Sequence, residues 1–330
     1  MNNDNMAQPA VLSDGLPMLP INRFRTTDID EHARNMGGWQ VCYDQLTPGC
    51  FDGELIEFRS DWMQLVRDRS NQALTKRGMA WEGAITFSVP LSADGPLFCS
   101  GHPIVEPSLL VARGHNLPEL RTPQHLDLLG VTVDEQALEH VLACQGSRFR
   151  ITDLPKCYRL GNSTLPAELA ALFDELEGGE QGRDSLLGYE SIRRGLRDTV
   201  MLHILELVAP DEAPPLNPTA RKRMVDRARE YALAHVDEPL SILDLCNHIG
   251  ASRRKLQYCF QETLGINPVA YLRALRLNAV RRELRSGSHA QGVQEVAARW
   301  GFWHLSRFSS DYRVLFGETP SQTLRRTHLC

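Results

Sequence analysis

Near its C-terminus the chain reads VQEVAARWGFWHLSRFSSDYRVLFGETPS from Val293 to Ser321. An earlier stretch from Ser241 to Leu272, SILDLCNHIGASRRKLQYCFQETLGINPVAYL, has a similar pattern. In each stretch, apolar residues at steps of three and four precede a glycine, as on one face of a helix. These residues are Ile242, Leu245 and Ile249 before Gly250, and Val293, Val296 and Trp300 before Gly301. The two stretches therefore form an internal repeat.

The repeat continues beyond its first glycine. A second apolar set follows in each copy, with one extra residue in the turn of the second copy, and a second glycine closes each set. These sets are Leu256, Phe260 and Leu264 before Gly265, and Phe308, Tyr312 and Phe316 before Gly317. Each copy is therefore predicted to contain two helices joined by a tight turn and followed by a third helix.

Capping signals support these boundaries. Ser241 with Asp244 is typical of a capping pair at a helix start. The first glycines suit a turn with positive φ, and the second glycines suit helix C-termini. Asn267-Pro268 and Thr319-Pro320 each place an N-cap before a proline at the first helical position. Each copy is thus predicted to be a helix-turn-helix unit with a supporting helix.

A long helix is predicted between the two units. Pro268–Arg285 carries apolar residues at helical spacing and would be about 27 Å long. Successive major grooves on one side of B-DNA lie ~34 Å apart. A rigid helix of this size suits two recognition helices in adjacent grooves.

Both copies resemble the AraC/XylS family of transcription regulators, over about a third of the chain. The resemblance rests on Val296–Phe302, His304–Phe308, Asp311–Arg313 and Phe316–Ser321 in the second copy. In the first copy it rests on Ser252–Gln257 and Leu264–Pro268. It implies a monomer with two DNA-binding units, a cytoplasmic protein, double-stranded DNA as partner and contact with RNA polymerase during activation. It also implies a cupin-like N-terminal domain that binds a small-molecule effector, forms a homodimer, or both.

The residues expected to read DNA lie on the second helix of each unit, on the side away from the apolar set. The resemblance favours Arg254, Gln257 and Tyr258 as base contacts, and arginine and glutamine suit guanine and adenine. The alternative is that these side chains are simply solvated. The full set is Ser252, Arg253, Arg254, Gln257, Tyr258, Gln261, His304, Leu305, Ser306, Arg307, Ser309 and Ser310.

Other basic and aromatic side chains near these helices have weaker signals. Phosphate contact and simple solvation stay open for Arg273, Arg276, Arg281, Arg282 and Arg325. Base stacking is conceivable for Trp300, Phe302 and Trp303, but their position beside a turn favours a place in the core.

Charge divides the chain in the same place as the motifs. Residues 219–330 hold 18 basic and 10 acidic residues, a net +8, whereas the remainder has a net −13. Four prolines between Ala209 and Pro218 predict a linker. We therefore predict a disordered tail over 1–20, an effector-binding or dimerisation domain over 21–208, a linker over 209–218 and a DNA-binding domain over 219–330.

The N-terminal half begins with strand patterns and ends with helical ones, which predicts an α+β fold overall, with an antiparallel β domain preceding an all-α domain. The expected strands are Trp39–Leu46, Gly53–Phe58, Met63–Arg67, Trp81–Val89, Ser108–Ala112 and His125–Val133. The expected helices are Asp134–Cys144, Pro166–Leu176 and Tyr189–Val208, of which the last could pack on its own domain or on a partner subunit.

No motif fixes a ligand in the β domain. The interior of a barrel is a plausible site for a small molecule. Its candidate lining residues are Trp39, Tyr43, Trp62, Trp81 and Phe87. His102, His115 and His125 lack the H-x-H spacing of metal-binding cupins, so we expect no metal and no cofactor.

Eight cysteines without C-x-x-C spacing are expected to be reduced thiols, and the sequence offers neither a secretion signal nor a membrane span. Two other functions stay open. An enzyme with a barrel active site would need a clustered nucleophile or metal set, which the sequence lacks. A regulator without a ligand would be controlled by its abundance or by a protein partner.

Overall fold

The structure is a computed structural model that describes residues 21–60, 62–104, 108–144, 157–159, 165–177, 190–207, 216–236, 241–286 and 292–327. The predicted tail over 1–20 and most of the predicted linker over 209–218 lie outside these residues. The domain boundaries drawn from the sequence therefore stay predictions.

The N-terminal half contains two antiparallel sheets within the described residues. The larger sheet has the order β1-β3-β4-β11-β6-β9-β12, and the smaller one has the order β2-β5-β10-β7-β8. The strands are β1 (Asn22–Thr26), β2 (Gln40–Gln45), β3 (Gly53–Arg59), β4 (Met63–Ser70), β5 (Leu74–Met79), β6 (Ala84–Ala93), β7 (Leu97–Cys99), β8 (His102–Ile104), β9 (Ser108–Arg113), β10 (Leu120–Arg121), β11 (Leu126–Asp134) and β12 (Cys157–Arg159).

Alternation along the central strands explains why the larger sheet has two different faces. On β6, Ile85 and Phe87 are buried in the core beneath the helices, whereas Thr86 and Ser88 line a cavity on the opposite face. This follows from the two-residue period of a strand, which sends neighbouring side chains to opposite faces. The central strand β11 pairs with β4 and β6 and alternates in the same way.

Helices cover one face of the larger sheet. Phe173, Leu196, Val200 and Ile204 are buried against strand residues such as Phe87. The last of these helices therefore packs one side on its own domain. The N-terminal helices are α1 (Ile29–Arg34), α2 (Glu135–Cys144), α3 (Leu165–Glu177) and α4 (Glu190–Leu207).

The C-terminal half is helical, as predicted. A single hydrophobic core joins both repeat copies to the long helix α8, and it includes Leu245, Phe260, Leu275, Phe308 and Tyr312. The helices are α5 (Ala220–Ala234), α6 (Ile242–Ile249), α7 (Arg253–Leu264), α8 (Pro268–Arg285), α9 (Val293–Arg299), α10 (Leu305–Phe316) and α11 (Pro320–Thr327).

The β domain and the helical domain meet at strand β2 and helix α8. The backbone N–H of Gln45 donates to the Asn278 side chain at 2.9 Å, and the Asn278 amide donates back to the Gln45 carbonyl at 2.9 Å. The Gln45 side chain also donates to the carbonyl of Leu315, at 2.7 Å. Since all these groups are buried, each hydrogen bond satisfies atoms that would otherwise destabilise the contact.

The expected fold class, an antiparallel β domain followed by an all-α domain, is thus confirmed. The narrower likeness of the β domain to a cupin stays a prediction. Among the helices that the structure describes, none has the length and apolar character needed to cross a membrane.

Candidate nucleic-acid interface

The first unit consists of α6 and α7 joined by a tight turn. The Ser241 hydroxyl accepts from the backbone N–H of Asp244, and the Asp244 carboxylate accepts from the backbone N–H of Ser241, so the predicted capping box is present. Gly250 has φ +69°, the left-handed conformation that glycine adopts without a steric penalty. Ser252 then caps α7 by accepting from the Lys255 N–H at 3.2 Å.

The second unit repeats this arrangement with α9 and α10. Gly301 lies in the turn with φ +74°, and Gly317 ends α10 with φ +73°. The hydroxyl of Thr319 accepts from the Gln322 N–H at 3.3 Å, just before helix α11 begins at Pro320. The turns, caps and helix order predicted from both copies are therefore confirmed.

Each recognition helix buries its aromatic and aliphatic side. Leu256 and Phe260 on α7, and Phe308 and Tyr312 on α10, have exposed fractions of 1% or less. A helix fixed on one side in this way presents its opposite side to solvent.

The residues predicted to read DNA lie on these outer sides. Ser309 is half-buried, and the other eleven are exposed. They are Ser252, Arg253, Arg254, Gln257, Tyr258 and Gln261 on the first unit, and His304, Leu305, Ser306, Arg307 and Ser310 on the second. Their exposure leaves them free to meet a duplex, and their contact with DNA stays a prediction.

Two further exposed cations lie on the recognition helices, Lys255 on α7 and Arg313 on α10. Helical spacing alone would have been enough to predict both. Arg221 on α5 lies 5.1 Å from the ring of Tyr258, measured from its guanidinium carbon to the ring centroid. No local pattern indicates this contact, because α5 and α7 are distant in sequence.

Two of the five arginines considered for phosphate contact are placed elsewhere. Arg281 is buried between Asp28 at 2.8 Å and Glu318 at 2.6 Å, and Arg282 pairs with the buried Asp44 at 2.8 Å. The interpretation of Arg281 and Arg282 as phosphate contacts is wrong, since both are held at the contact with the β domain. Their carboxylate partners come from the distant β domain or from beyond α8, so the sequence around α8 gave no sign of them.

The charge on Arg281 is stabilised by its surroundings. Burial lowers the pKa of Arg281, but neighbouring Tyr312, Asp28 and Glu318 outweigh burial and raise the pKa. Burial alone would raise the pKa of Asp28. The charge of Arg281 and its hydrogen bond have a larger effect than burial, so the pKa of Asp28 is lowered. The pair is therefore ionised in the folded protein.

The opposite face of α8 lines a groove between the two units. This groove has a volume of about 370 Å³, and Leu272, Arg273, Arg276 and Trp303 are among its lining residues. Trp303 is 61% exposed, so its expected place in the core is wrong. Trp300 is half-buried and donates to the Glu283 carboxylate at 2.6 Å, and Phe302 packs against Phe308.

A second candidate site is the cavity between the two sheets, which has a volume of about 90 Å³. A single water needs roughly 10–15 Å³, so the cavity has room for a small molecule. Its wall combines aromatic and aliphatic side chains with hydroxyls and charges. The lining residues include Trp39, Tyr43, Asp68, Lys76, Arg77, Thr86, Ser88, Gly130 and Thr132.

The charged part of this wall is internally paired. Lys76 lies 2.5 Å from Asp68, and His32 lies 3.0 Å from the other oxygen of Asp68. Burial raises the pKa of Asp68, but Lys76 and His32 outweigh burial and lower the pKa. The cavity thus carries paired charges beside aromatic, aliphatic and hydroxyl side chains.

Of the five aromatic residues expected to line a site, only Trp39 and Tyr43 do so within the described cavity wall. Trp62 and Phe87 pack in the core beneath the helices, and Trp81 lies against the Arg59 guanidinium at 5.4 Å. The alternation of β6 explains the outcome for Phe87, which occupies the face opposite Thr86 and Ser88. The described residues contain no group of three histidine, cysteine or acidic side chains arranged to hold a metal.

Comparisons with known proteins concern the helical domain. Residues 245–326 match the family model for a helix-turn-helix domain. The chain is 39% identical over 103 residues to the probable thc operon regulatory protein of Rhodococcus erythropolis, covering 31% of each chain. It is 32% identical over 102 residues to the XylDLEGF operon transcriptional activator 3 of Pseudomonas putida, again covering 31% of each. The matched segment thus spans about a third of the length of these curated relatives.

A solved structure is similar over a comparable share of the chain. A probable AraC family transcriptional regulator from Rhodopseudomonas palustris is 34% identical, with a TM-score of 0.30, over 32% of this chain and 97% of that chain. These two curated relatives are an operon regulatory protein and a transcriptional activator. The helical domain of this chain belongs to the AraC/XylS family of DNA-binding transcription regulators.

Proposed function

We propose that this protein regulates transcription by placing α7 and α10 in adjacent major grooves of double-stranded DNA while its β domain senses a small molecule. One observation carries the proposal: both recognition helices bury an apolar side in a single core and expose a polar, basic side. The connecting helix α8 belongs to that same core, so it would hold the two helices in a fixed relation.

Specific reading would come from the exposed sides of α7 and α10. Arg254 and Gln257 carry the side chains that recognise guanine and adenine through paired hydrogen bonds. Arg307 offers an equivalent donor on the second unit. Lys255, Arg313 and Arg221 would add phosphate contacts, which position the protein without reading sequence.

The DNA-binding part of the proposal is tested by selecting a site from random duplexes with the full-length protein. The affinity of Arg254→Ala for that site is then measured by fluorescence anisotropy. Because one good base contact contributes about 1–3 kcal/mol, the variant should bind roughly 5- to 150-fold more weakly. Arg194→Ala is the matched control, since Arg194 is an exposed arginine on α4 of the β domain. Equal affinities for both variants would contradict the proposal.

Sensing is proposed to take place in the cavity between the sheets. The fixed charges beside Trp39 and Tyr43 support this, because binding pockets combine apolar walls with a few placed polar groups. A metabolite screen by thermal shift identifies the occupant, since a ligand that binds only the folded state raises its melting temperature. The absence of any such ligand would favour the alternative of a regulator controlled by abundance or by a protein partner.

Gly130 provides a targeted test of this cavity. It lies on the central strand β11, and a Cβ placed there would make only ordinary contacts, at 3.8 Å or more. Gly130→Val should therefore fill part of the cavity without straining the strand. Loss of the thermal shift with retained folding is expected, and a full shift in the variant would place the ligand elsewhere.

We further propose that the protein activates transcription through RNA polymerase and acts as a homodimer. The name of the Pseudomonas putida relative, a transcriptional activator, supports the direction of regulation. Leu202 on α4 is 53% exposed and offers an apolar surface for a second copy. In vitro transcription from a selected site and light scattering of the purified protein test the two points separately.

A further inference from the structure

Arg77 on β5 lies where the cavity wall meets the helical domain. It is one of the cavity-lining residues, and its side chain is 21% exposed. Its guanidinium contacts two carboxylates, pairing with Asp44 and lying 3.8 Å from Glu119. Each of these two carboxylates in turn contacts a different helix of the helical domain.

The first branch runs through Asp44 to α8. The side chain of Asp44 is 1% exposed, and its second oxygen accepts from Arg282 at 2.8 Å. Arg282 thus shares one buried carboxylate with Arg77. A buried carboxylate needs such partners, because an unpaired charge in the interior is strongly destabilising.

The second branch runs through Glu119 to α5. One oxygen of Glu119 lies 3.1 Å from Lys222, and the other lies 3.0 Å from Arg229. The Glu119 side chain is 9% exposed, and that of Lys222 is 6% exposed. Arg77 therefore touches two separate ion-pair groups, each of which ties the β domain to a different helix.

The strengths of the contacts within each group depend on one another. Charged groups in a buried network polarise and position their neighbours, so losing one member changes the hold on the rest. When Arg77 moves away from Asp44, one oxygen of that buried carboxylate loses its hydrogen-bond partner, which destabilises the position in which Asp44 holds Arg282. The same motion removes one of three cations around Glu119.

We propose that Arg77 is a positioning residue that couples occupancy of the cavity to the attachment of the DNA-binding domain. Because a guanidinium only donates hydrogen bonds, an occupant acts on it by presenting an acceptor group. Drawing Arg77 into the cavity loosens α8 through Asp44 and α5 through Glu119 in one step. The inference rests on the proposed sensing function, but the coupling is measurable without a known ligand.

Hydrogen–deuterium exchange of the full chain tests this coupling with Arg77→Gln, which mimics the withdrawn guanidinium. Exchange should become roughly 2- to 30-fold faster in both α8 and α5, which is the range expected for modest coupling energies. The central strand β11 should keep its wild-type protection, which shows that the β domain is still folded. Arg69→Gln is the matched control, since Arg69 pairs with Glu54 and Asp127 at 2.8 and 3.3 Å within the larger sheet.

Two further variants separate the branches and keep the test decisive if Arg77→Gln does not fold. Asp44→Asn should loosen α8 alone, and Glu119→Gln should loosen α5 alone. Wild-type exchange in both helices of Arg77→Gln, or the same increase in Arg69→Gln, would overturn the proposal. So would branch variants that each loosen both helices equally. These outcomes are independent of DNA affinity, so failure of the coupling is distinguishable from failure of the proposed function.

Discussion

Arg281 pairs with two buried carboxylates at the contact between the β domain and the helical domain. Its guanidinium joins Asp28 from the β domain to Glu318 from the second repeat copy, and it also lies 4.8 Å from the ring of Phe316. Arg285 reaches the same Asp28 at 3.1 Å. One side chain thereby connects a short helix of the β domain, the connecting helix and the second unit.

Replacing this arginine should destabilise the folded chain strongly. Arg281→Met leaves Asp28 and Glu318 buried with fewer cations, and breaking a buried ion pair costs about 3–5 kcal/mol. Denaturant unfolding followed by circular dichroism measures this loss. Arg325→Met, an exposed arginine on α11, is the control and should change stability by less than about 0.5 kcal/mol. Equal unfolding midpoints for the two variants would contradict the account of the contact.

Asp30 gives the same contact a pH dependence. Burial raises the pKa of Asp30 from 3.8 to about 6, against the opposing charges of Arg282, Arg281 and Arg34, with Asp28 adding to the rise. Its Oδ2 has no hydrogen-bond partner among the described residues. The folded state therefore binds the proton of the Asp30 carboxyl more tightly than the unfolded chain does. Protonated Asp30 contributes fully to stability below about pH 4, and this contribution is lost as the pH rises through 6.

Asp30→Asn removes this titration. Relative to the wild type, the variant should gain stability between pH 4 and pH 7 by on the order of 2–3 kcal/mol. Unfolding free energies of both proteins across this pH range provide the measurement. A constant difference between them at every pH would show that Asp30 does not titrate there.

At the scale of single elements, the turns of the helix-turn-helix units depend on backbone conformation. A Cβ added at Gly250 or at Gly292 would have no atom within 4 Å, so neither position is crowded. The two differ in backbone conformation, because Gly250 has φ +69° and Gly292, the N-cap of α9, has φ −74°. Gly250→Ala should therefore cost about 1–2 kcal/mol from the left-handed backbone alone. Gly292→Ala should cost less, because at negative φ it only replaces an N-cap glycine with the less favourable alanine. Thermal unfolding distinguishes them, and equal losses would contradict the turn geometry.

Element boundaries in the helical domain were predictable because their signals are local. The capping box at Ser241, the glycine turns and the Asn267-Pro268 start each act within one helical turn of the residue concerned. The longer strands were predictable in the same way from alternation. Strand β5 was missed because Lys76 and Arg77 look like surface residues in the sequence. Their carboxylate partners are Asp44 on β2, Asp68 on β4 and Glu119 just before β10, and only the fold brings these together. Helix α1 was missed because its short sequence, IDEHAR, is mostly charged.

At the scale of the whole molecule, the sequence predicted two DNA-binding units but not their attachment to the β domain. Two faces of helix α8 make different contacts. One face contacts the β domain through Asn278, Arg281 and Arg282. The other face lines the groove between the units with Leu272 and Arg276. The partners of the first face lie more than two hundred residues away along the chain, or beyond the end of α8. The residue pattern of a helix predicts that one of its faces is buried. Only the folded structure shows which domain packs against that face.

We propose that one chain reads two adjacent major grooves with α7 and α10. A hydroxyl-radical footprint of the full-length protein on its selected site distinguishes this from binding through one unit. Two protected patches about one helical turn apart are expected, of which Arg254→Ala weakens one and Arg307→Ala weakens the other. A single protected patch, or equal weakening of both patches by each variant, would contradict it.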